Sequence, residues 1–256
     1  VLFPLFLSIA AIVLGALAIA GSTSNHSPIN QIYLFQMNIT GATSAVNSQI
    51  TSETSLGSLG ISDIYTFGMW GYCRGSSNSN GDYAPTWCSE PKSMYMFDPV
   101  DTLMNELNDN YSITLPSDFT NYISTIKTVT KMIFITALIG CAAAALTGIF
   151  TLLSFCSHGI SCISMIIGVI TFVAFLIVGG ASTGAFLILR NYLNNSVEEY
   201  GVKGSLGNWT FYGLIWGAVV ASALTAIFNL FGICCGRTSS RPKSQEEMPM
   251  MQYIEK

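Results

Sequence analysis

Seven cysteines and five Asn-X-Ser/Thr sequons hold most of the covalent chemistry open to this 256-residue chain, and their positions separate them into groups. Cys73 and Cys88 stand in a long polar stretch, with fourteen mostly small and polar residues between them. The sequons, at Asn25, Asn38, Asn110, Asn194 and Asn208, all fall in two polar stretches that separate apolar segments. Glycan addition requires the secretory lumen, so the sequons assign both stretches to the outside. In that oxidising compartment a Cys73–Cys88 disulfide is the default reading. It would close a loop of about 15 residues, worth ~3 kcal/mol in the chain-entropy model. Asn25 is followed by Ser27-Pro28 and Asn208 lies close to an apolar segment, so Asn38, Asn110 and Asn194 are the better acceptors.

The other cysteines carry different chemistry. Cys141 lies within an apolar segment and reads as a small packing residue. Cys156 and Cys162 flank a short turn, and Cys234-Cys235 end the last apolar segment. Cysteines at such borders are S-acylation candidates. Cys234 and Cys235 are favoured, while idle thiols explain Cys156 and Cys162 equally well. Two separated histidines, His26 and His158, and the lack of any Cys-x-x-Cys give a metal site no support. No nucleophile–base pairing or phosphate loop emerges, so the expectation is a non-enzyme without cofactor, metal or nucleic-acid partner.

The elements that position these residues follow from composition. Half of the residues are hydrophobic and only 9% are charged, against about 25% in a soluble domain. Stretches 1–21, 132–154, 160–189 and 210–233 contain no Asp, Glu, Lys or Arg. Each reaches the ~20 residues that cross a hydrocarbon core. Backbone groups in lipid must be satisfied internally, so each is expected to be a helix. The third is too long for a perpendicular span and must tilt or project. Ala18-Ile19-Ala20 resembles a signal-cleavage site. The apolar run before it is nearly twice the ~7–15 residues of a signal core, which favours a retained span.

Four spans place both termini on one side, read as cytoplasmic. Residues 22–131 and 190–209 then lie outside, with 155–159 a cytoplasmic turn and 234–256 a cytoplasmic tail. The Lys/Arg rule adds little, because Arg237, Arg241 and Lys243 are matched by Lys127, Lys131 and Arg190 on the other side. No span holds an ionisable carboxylate, lysine or arginine, which argues against an ion path or transporter.

Within residues 22–131, Gln31-Ile32-Tyr33-Leu34-Phe35 reads as a strand and 42–62 as a weak strand or loop. Residues 64–72 read as a strand running into Cys73, 74–85 as a polar tip, and 86–96 as a segment that pairs back. The spacing of Val100, Leu103, Met104 and Leu107 predicts a short helix. Residues 114–118 start a longer one, whose apolar face (Phe119, Tyr122, Ile123, Ile126, Val129) continues into the second span. Most of the nine carboxylates of this loop, which include Asp98 and Asp101, read as a solvated face.

Gly68-Met69-Trp70-Gly71-Tyr72-Cys73, followed by Cys88, resembles the Gly-Leu-Trp-x-x-Cys…Cys signature of claudin-type tetraspanners, with Met for Leu and a longer cysteine interval. The run from Asn25 to Tyr33, residues 67–73, residues 95–99 and Leu115-Pro116-Ser117 are similar to the fungal SUR7/PalI family of claudin-like plasma-membrane proteins. The resemblance covers about residues 1–235. It implies a mainly α membrane fold, a four-helix transmembrane bundle carrying a small extracellular antiparallel β-sheet. Trp70 would wedge between sheet and bundle, and the disulfide would pin neighbouring strands; an interfacial aromatic is the simpler reading of Trp70.

The resemblance also implies a structural organiser of eisosome-type plasma-membrane microdomains, supporting cell-wall integrity and endocytic patterning. Its partners would be membrane lipids and further copies of itself. An auxiliary subunit of another integral membrane protein and a PalI-type pH-signalling component are the alternatives. Small residues in the spans (Gly140, residues 142–145, Gly148, Gly179-Gly180, Ala181, Gly184) permit close helix approach, within the bundle or to a partner.

Overall fold

The computed structural model describes residues 2–41, 62–77, 83–95, 97–99, 101–102, 117–154, 158–196 and 201–235. Helix α1 is Leu2–Ile19, α2 is Ser117–Leu153, α3 is His158–Ser196 and α4 is Trp209–Cys235. All four contain a stretch long and apolar enough to cross a membrane. Apolar side chains such as Phe6, Ile139, Ile177 and Phe231 are more than half exposed, a surface matched to lipid rather than water.

Each helix packs on the next and α4 returns to α1, giving a closed bundle. Close packing depends on small residues opposite large ones. Phe175 of α3 is fully buried, and its ring lies 2.9 Å from where a Cβ on Gly15 of α1 would stand and 3.3 Å from one on Gly140 of α2. Towards the end remote from the sheet, side-chain hydroxyls join the helices. Thr147 and Thr171 approach to 3.4 Å, Thr151 and Ser164 to 2.9 Å, and Asn229 Nδ2 donates to Ser164 Oγ at 3.3 Å. In hydrocarbon such bonds hold helices together because water offers no alternative partner.

Two helices outrun the apolar stretches. α2 begins fifteen residues before 132, and α3 continues seven residues past 189, about 10 Å at 1.5 Å per residue. Ile123 and Ile126 of α2 and Phe186, Leu189 and Leu193 of α3 are buried in these upper turns, where they pack in the core cluster that the sheet also joins.

The sheet has five strands in the order β4-β3-β2-β1-β5, all antiparallel: β1 Phe35–Asn38, β2 Ile64–Phe67, β3 Tyr72–Ser77, β4 Tyr83–Cys88 and β5 Lys203–Leu206. Phe35 lies opposite both Phe67 and Leu206, and Phe67 opposite Tyr72. Side chains opposite one another share a face, and this one meets the bundle: Phe35 stacks on Phe186 with centroids 5.7 Å apart. The other face carries Thr66, whose Oγ1 lies 2.9 Å from Tyr83 Oη, and Tyr33 packs edge-on against Tyr83.

Four expectations need correction. Residues 31–35 are not a strand; Ile29–Gln31 is a 3-10 turn and β1 starts at Phe35. The chain must first fold back over the end of α1, where a Cβ on Gly21 would lie 2.8 Å from Ile32 Cγ2. Residues 64–72 are not one strand, because a tight turn closed by Gly68 N–H donating to the Gly71 carbonyl at 2.8 Å divides β2 from β3. The 74–85 tip is shorter than expected, since β3 runs to Ser77 and β4 starts at Tyr83, while pairing of 86–96 stops at Cys88. Finally, the second polar stretch contributes β5 rather than serving as a plain loop. The expectations for 42–61, 114–116 and most of 100–107 lie outside the described residues.

Candidate functional site

The β2–β3 turn is where the recurrent motif is built. Gly68 is required by closeness: a Cβ there would lie 2.5 Å from Ser22 Cβ and 2.7 Å from the Gly21 carbonyl oxygen, so the turn rests directly on the chain leaving α1. Met69 is buried in the core. Trp70 is half-buried, and its ring meets Phe134 of α2 edge to face, with centroids 5.0 Å apart. Its carbonyl accepts the Lys92 N–H at 2.8 Å, which draws the segment after β4 down to the turn.

Cys73 and Cys88 lie directly opposite in the β3–β4 ladder and are joined by a disulfide, S–S 2.06 Å. Cys73 is fully buried, with Sγ 4.0 Å from the Ser22 carbonyl oxygen. The crosslink therefore ties β4, an edge strand, to the part of the sheet seated on α1. On β4, Trp87 is partly exposed and stacks with Arg74, whose guanidinium carbon lies 4.8 Å from the ring centroid.

Two structural residues were not singled out from sequence. Phe97 is buried between Phe67, Phe35 and Phe186, with centroids 4.6, 5.8 and 5.5 Å away, and so connects three sheet and helix rings. Asp98 is buried and pairs with Lys127 of α2, an exception to the solvated face expected of most carboxylates in this loop. Burial works to raise the Asp98 carboxyl, but hydrogen bonds from Asp101 and Lys127 outweigh it and hold the group below the ordinary range. Asp101 moves upward because it shares that hydrogen bond with Asp98. The available signal was the apolar context of Asp98 between Phe97 and Pro99. On the sheet's other face, burial pushes the Tyr83 hydroxyl up to about 12.

Gly68, Trp70, Cys73 and Cys88 are thus brought together, and the remaining candidates are dispersed. Asn38 ends β1, with Oδ1 accepting the Thr40 N–H at 2.9 Å. Asn194 lies in the last turn of α3 and bonds to Gly204. Asn25 Nδ2 donates to the Thr86 carbonyl at 3.2 Å, and Asn208 is exposed just before α4. Cys234 and Cys235 are the last two residues of α4. Cys141 is half-buried in α2 and Cys162 exposed on α3. Asn110 and Cys156 lie outside the described residues.

Known proteins place this arrangement. The SUR7/PalI family model matches residues 1–228. Protein PUN1 of Saccharomyces cerevisiae is 28% identical over 236 residues, 88% of each chain. SUR7 family protein pun1 of Schizosaccharomyces pombe is 40% identical over 63 residues, 23% of this chain and 21% of its own. No solved structure is significantly similar. The chain is a claudin-like, multi-pass membrane protein, and a family match that begins with the first span and ends within the fourth takes in both the bundle and the whole sheet: this chain belongs to the SUR7/PalI family.

Proposed function

We propose that the protein is a non-enzymatic organiser of fungal plasma-membrane microdomains of the eisosome type, acting by lateral self-association and supporting cell-wall integrity and endocytic patterning. In this reading the sheet lies outside, both termini are cytoplasmic, and S-acylation of Cys234 and Cys235 assists lateral sorting. Similarity to the SUR7/PalI family over residues 1–228 supports the membrane role. One observation favours lateral contact in particular. Gly180 and Gly184 lie four residues apart on α3, and a Cβ added to either would meet nothing within 4 Å. Gly140, Gly148 and Gly179, by contrast, face Phe175, Ser8 and Trp216 of the same bundle. Small residues one helical turn apart let a second helix approach closely in lipid.

The test is crosslinking in intact membranes, with gentle solubilisation and mass spectrometry of what co-purifies. Self-crosslinked chains carrying microdomain proteins support the organiser. A stoichiometric large enzyme or channel would replace it with an auxiliary-subunit role, and a pH-signalling receptor with the third reading. Monomers in both native membranes and mild detergent would remove self-association.

A further inference from the structure

The carboxamide of Asn194 closes on a single residue of β5. Nδ2 donates to the Gly204 carbonyl at 3.2 Å, and Oδ1 accepts from the Gly204 N–H at 2.9 Å. Gly204 lies opposite Met37 in the β1–β5 ladder, and β5 is the edge of the sheet. Its bonds to Asn194 therefore leave from the open side, where the carboxamide does what a sixth strand would do for that residue and covers an otherwise unpaired edge. They also fasten the upper end of α3 to the sheet. Gly204 is matched to this place, since a Cβ on it would lie 2.7 Å from the Phe35 ring and 2.9 Å from Leu193 Cδ1.

The same asparagine opens the sequon Asn194-Asn195-Ser196. Glycosylation forms a bond from Nδ2 to the anomeric carbon of a polyprenyl-pyrophosphate-linked oligosaccharide. The bond from that carbon to the pyrophosphate oxygen breaks, the polyprenyl pyrophosphate leaves, and one Nδ2 proton passes to a base of the transferase. The product is a secondary amide, and its trans geometry sets the sugar on the same side as Oδ1. A carboxamide reaches one residue's N–H and C=O together only through its oxygen and the hydrogen on that side. The sugar would replace the hydrogen that points at Gly204, so glycan and clamp exclude each other.

Asn38 is arranged differently. Its Oδ1 accepts the Thr40 N–H at 2.9 Å, an Asx turn across its own sequon. Asn38 is part-exposed and Thr40 exposed, and among the described residues nothing takes up Asn38 Nδ2. We propose that Asn194 stays unmodified as an edge clamp and that Asn38 carries an N-linked oligosaccharide. This rests on the reading that places the sheet outside.

The full chain, expressed in a yeast host, is treated with peptide N-glycosidase in heavy-oxygen water and its sites are scored by mass spectrometry. Sidedness is measured separately, by reacting Ser93→Cys, an exposed position, with a membrane-impermeant maleimide. The expected result is label at Asn38 and none at Asn194. Ser196→Ala removes the sequon and keeps the carboxamide, so it lowers the melting temperature less than Asn194→Ala, which lowers it by several degrees. Label at Asn194 in the folded chain overturns the proposal, as does equal destabilisation by the two variants. An empty Asn38 overturns the assignment alone if Ser93→Cys reacts from outside, and the orientation with it if reaction needs permeabilised cells.

Discussion

Trp70 of the β2–β3 turn and Phe134 of α2 pack edge to face, ring planes at 88°, and Phe134 stands three residues beyond Lys131, the last charged residue before the second apolar stretch. At 1.5 Å per residue the contact lies about 4.5 Å inside that charge. The indole is thus seated on the bundle. Trp70→Ala should cost about 2–3 kcal/mol, less than the ~3–5 kcal/mol of a fully buried aromatic because the ring is half-exposed. Trp70→Phe should recover much of it. Thermal unfolding in one detergent compares the two, and equal melting temperatures for Trp70→Ala and the parent would remove Trp70 from the fold's support.

Two glycine-to-alanine substitutions should behave oppositely. Gly68→Ala places a methyl against Ser22 Cβ and the Gly21 carbonyl, and backbone cannot yield as a side-chain tip can. A loss of about 1–3 kcal/mol follows from such overpacking. Gly180→Ala meets nothing within 4 Å and should leave the isolated chain as stable or slightly more so, given the ~1 kcal/mol helix preference for Ala. Its effect should appear in crosslinking yield between copies.

Reduction of the Cys73–Cys88 disulfide, or replacement of both cysteines by serine, should lower stability by ~3 kcal/mol, the chain-entropy value for this loop length. Cys73→Ser should lose more than Cys88→Ser, since Cys73 is fully buried and a hydroxyl there replaces a sulfur. Denaturant unfolding with and without reductant checks both statements.

The Asp98–Lys127 pair should make stability pH-dependent. Asp98 titrates lower folded than unfolded, so its contribution is present above the ordinary 3.8 and is lost as pH falls through the folded value. Asp101 is shifted upward, so its contribution has the opposite sign and is lost as pH rises through its folded value. Asp98→Asn should cost about 1.5–3 kcal/mol at pH 7, the range for a hydrogen bond to a charged group. The difference from the parent should narrow on acidification. A constant difference between pH 7 and pH 3 would show that packing at Asp98 matters and its charge does not.

What the amino-acid sequence determined alone was everything that depends on composition over a long window. Thirty residues without a charge at 160–189 permit one structure in lipid, a helix, because the backbone has no other partner there. The isolation of Cys73 and Cys88 from the other cysteines likewise pointed to their pairing before any geometry was known. The short elements were settled by the tertiary structure. Lys203-Gly204-Ser205-Leu206 has no strand alternation of its own, and it becomes β5 because β1 and Asn194 hold its two edges. Phe35 begins β1, rather than ending a strand begun at Gln31, because Phe67 and Leu206 lie opposite it. Asp98 is buried rather than solvated because α2 rises far enough to bring Lys127 to it. A four-residue strand or a single ion pair is stabilised by partners distant in sequence, and no local pattern encodes where those partners will be.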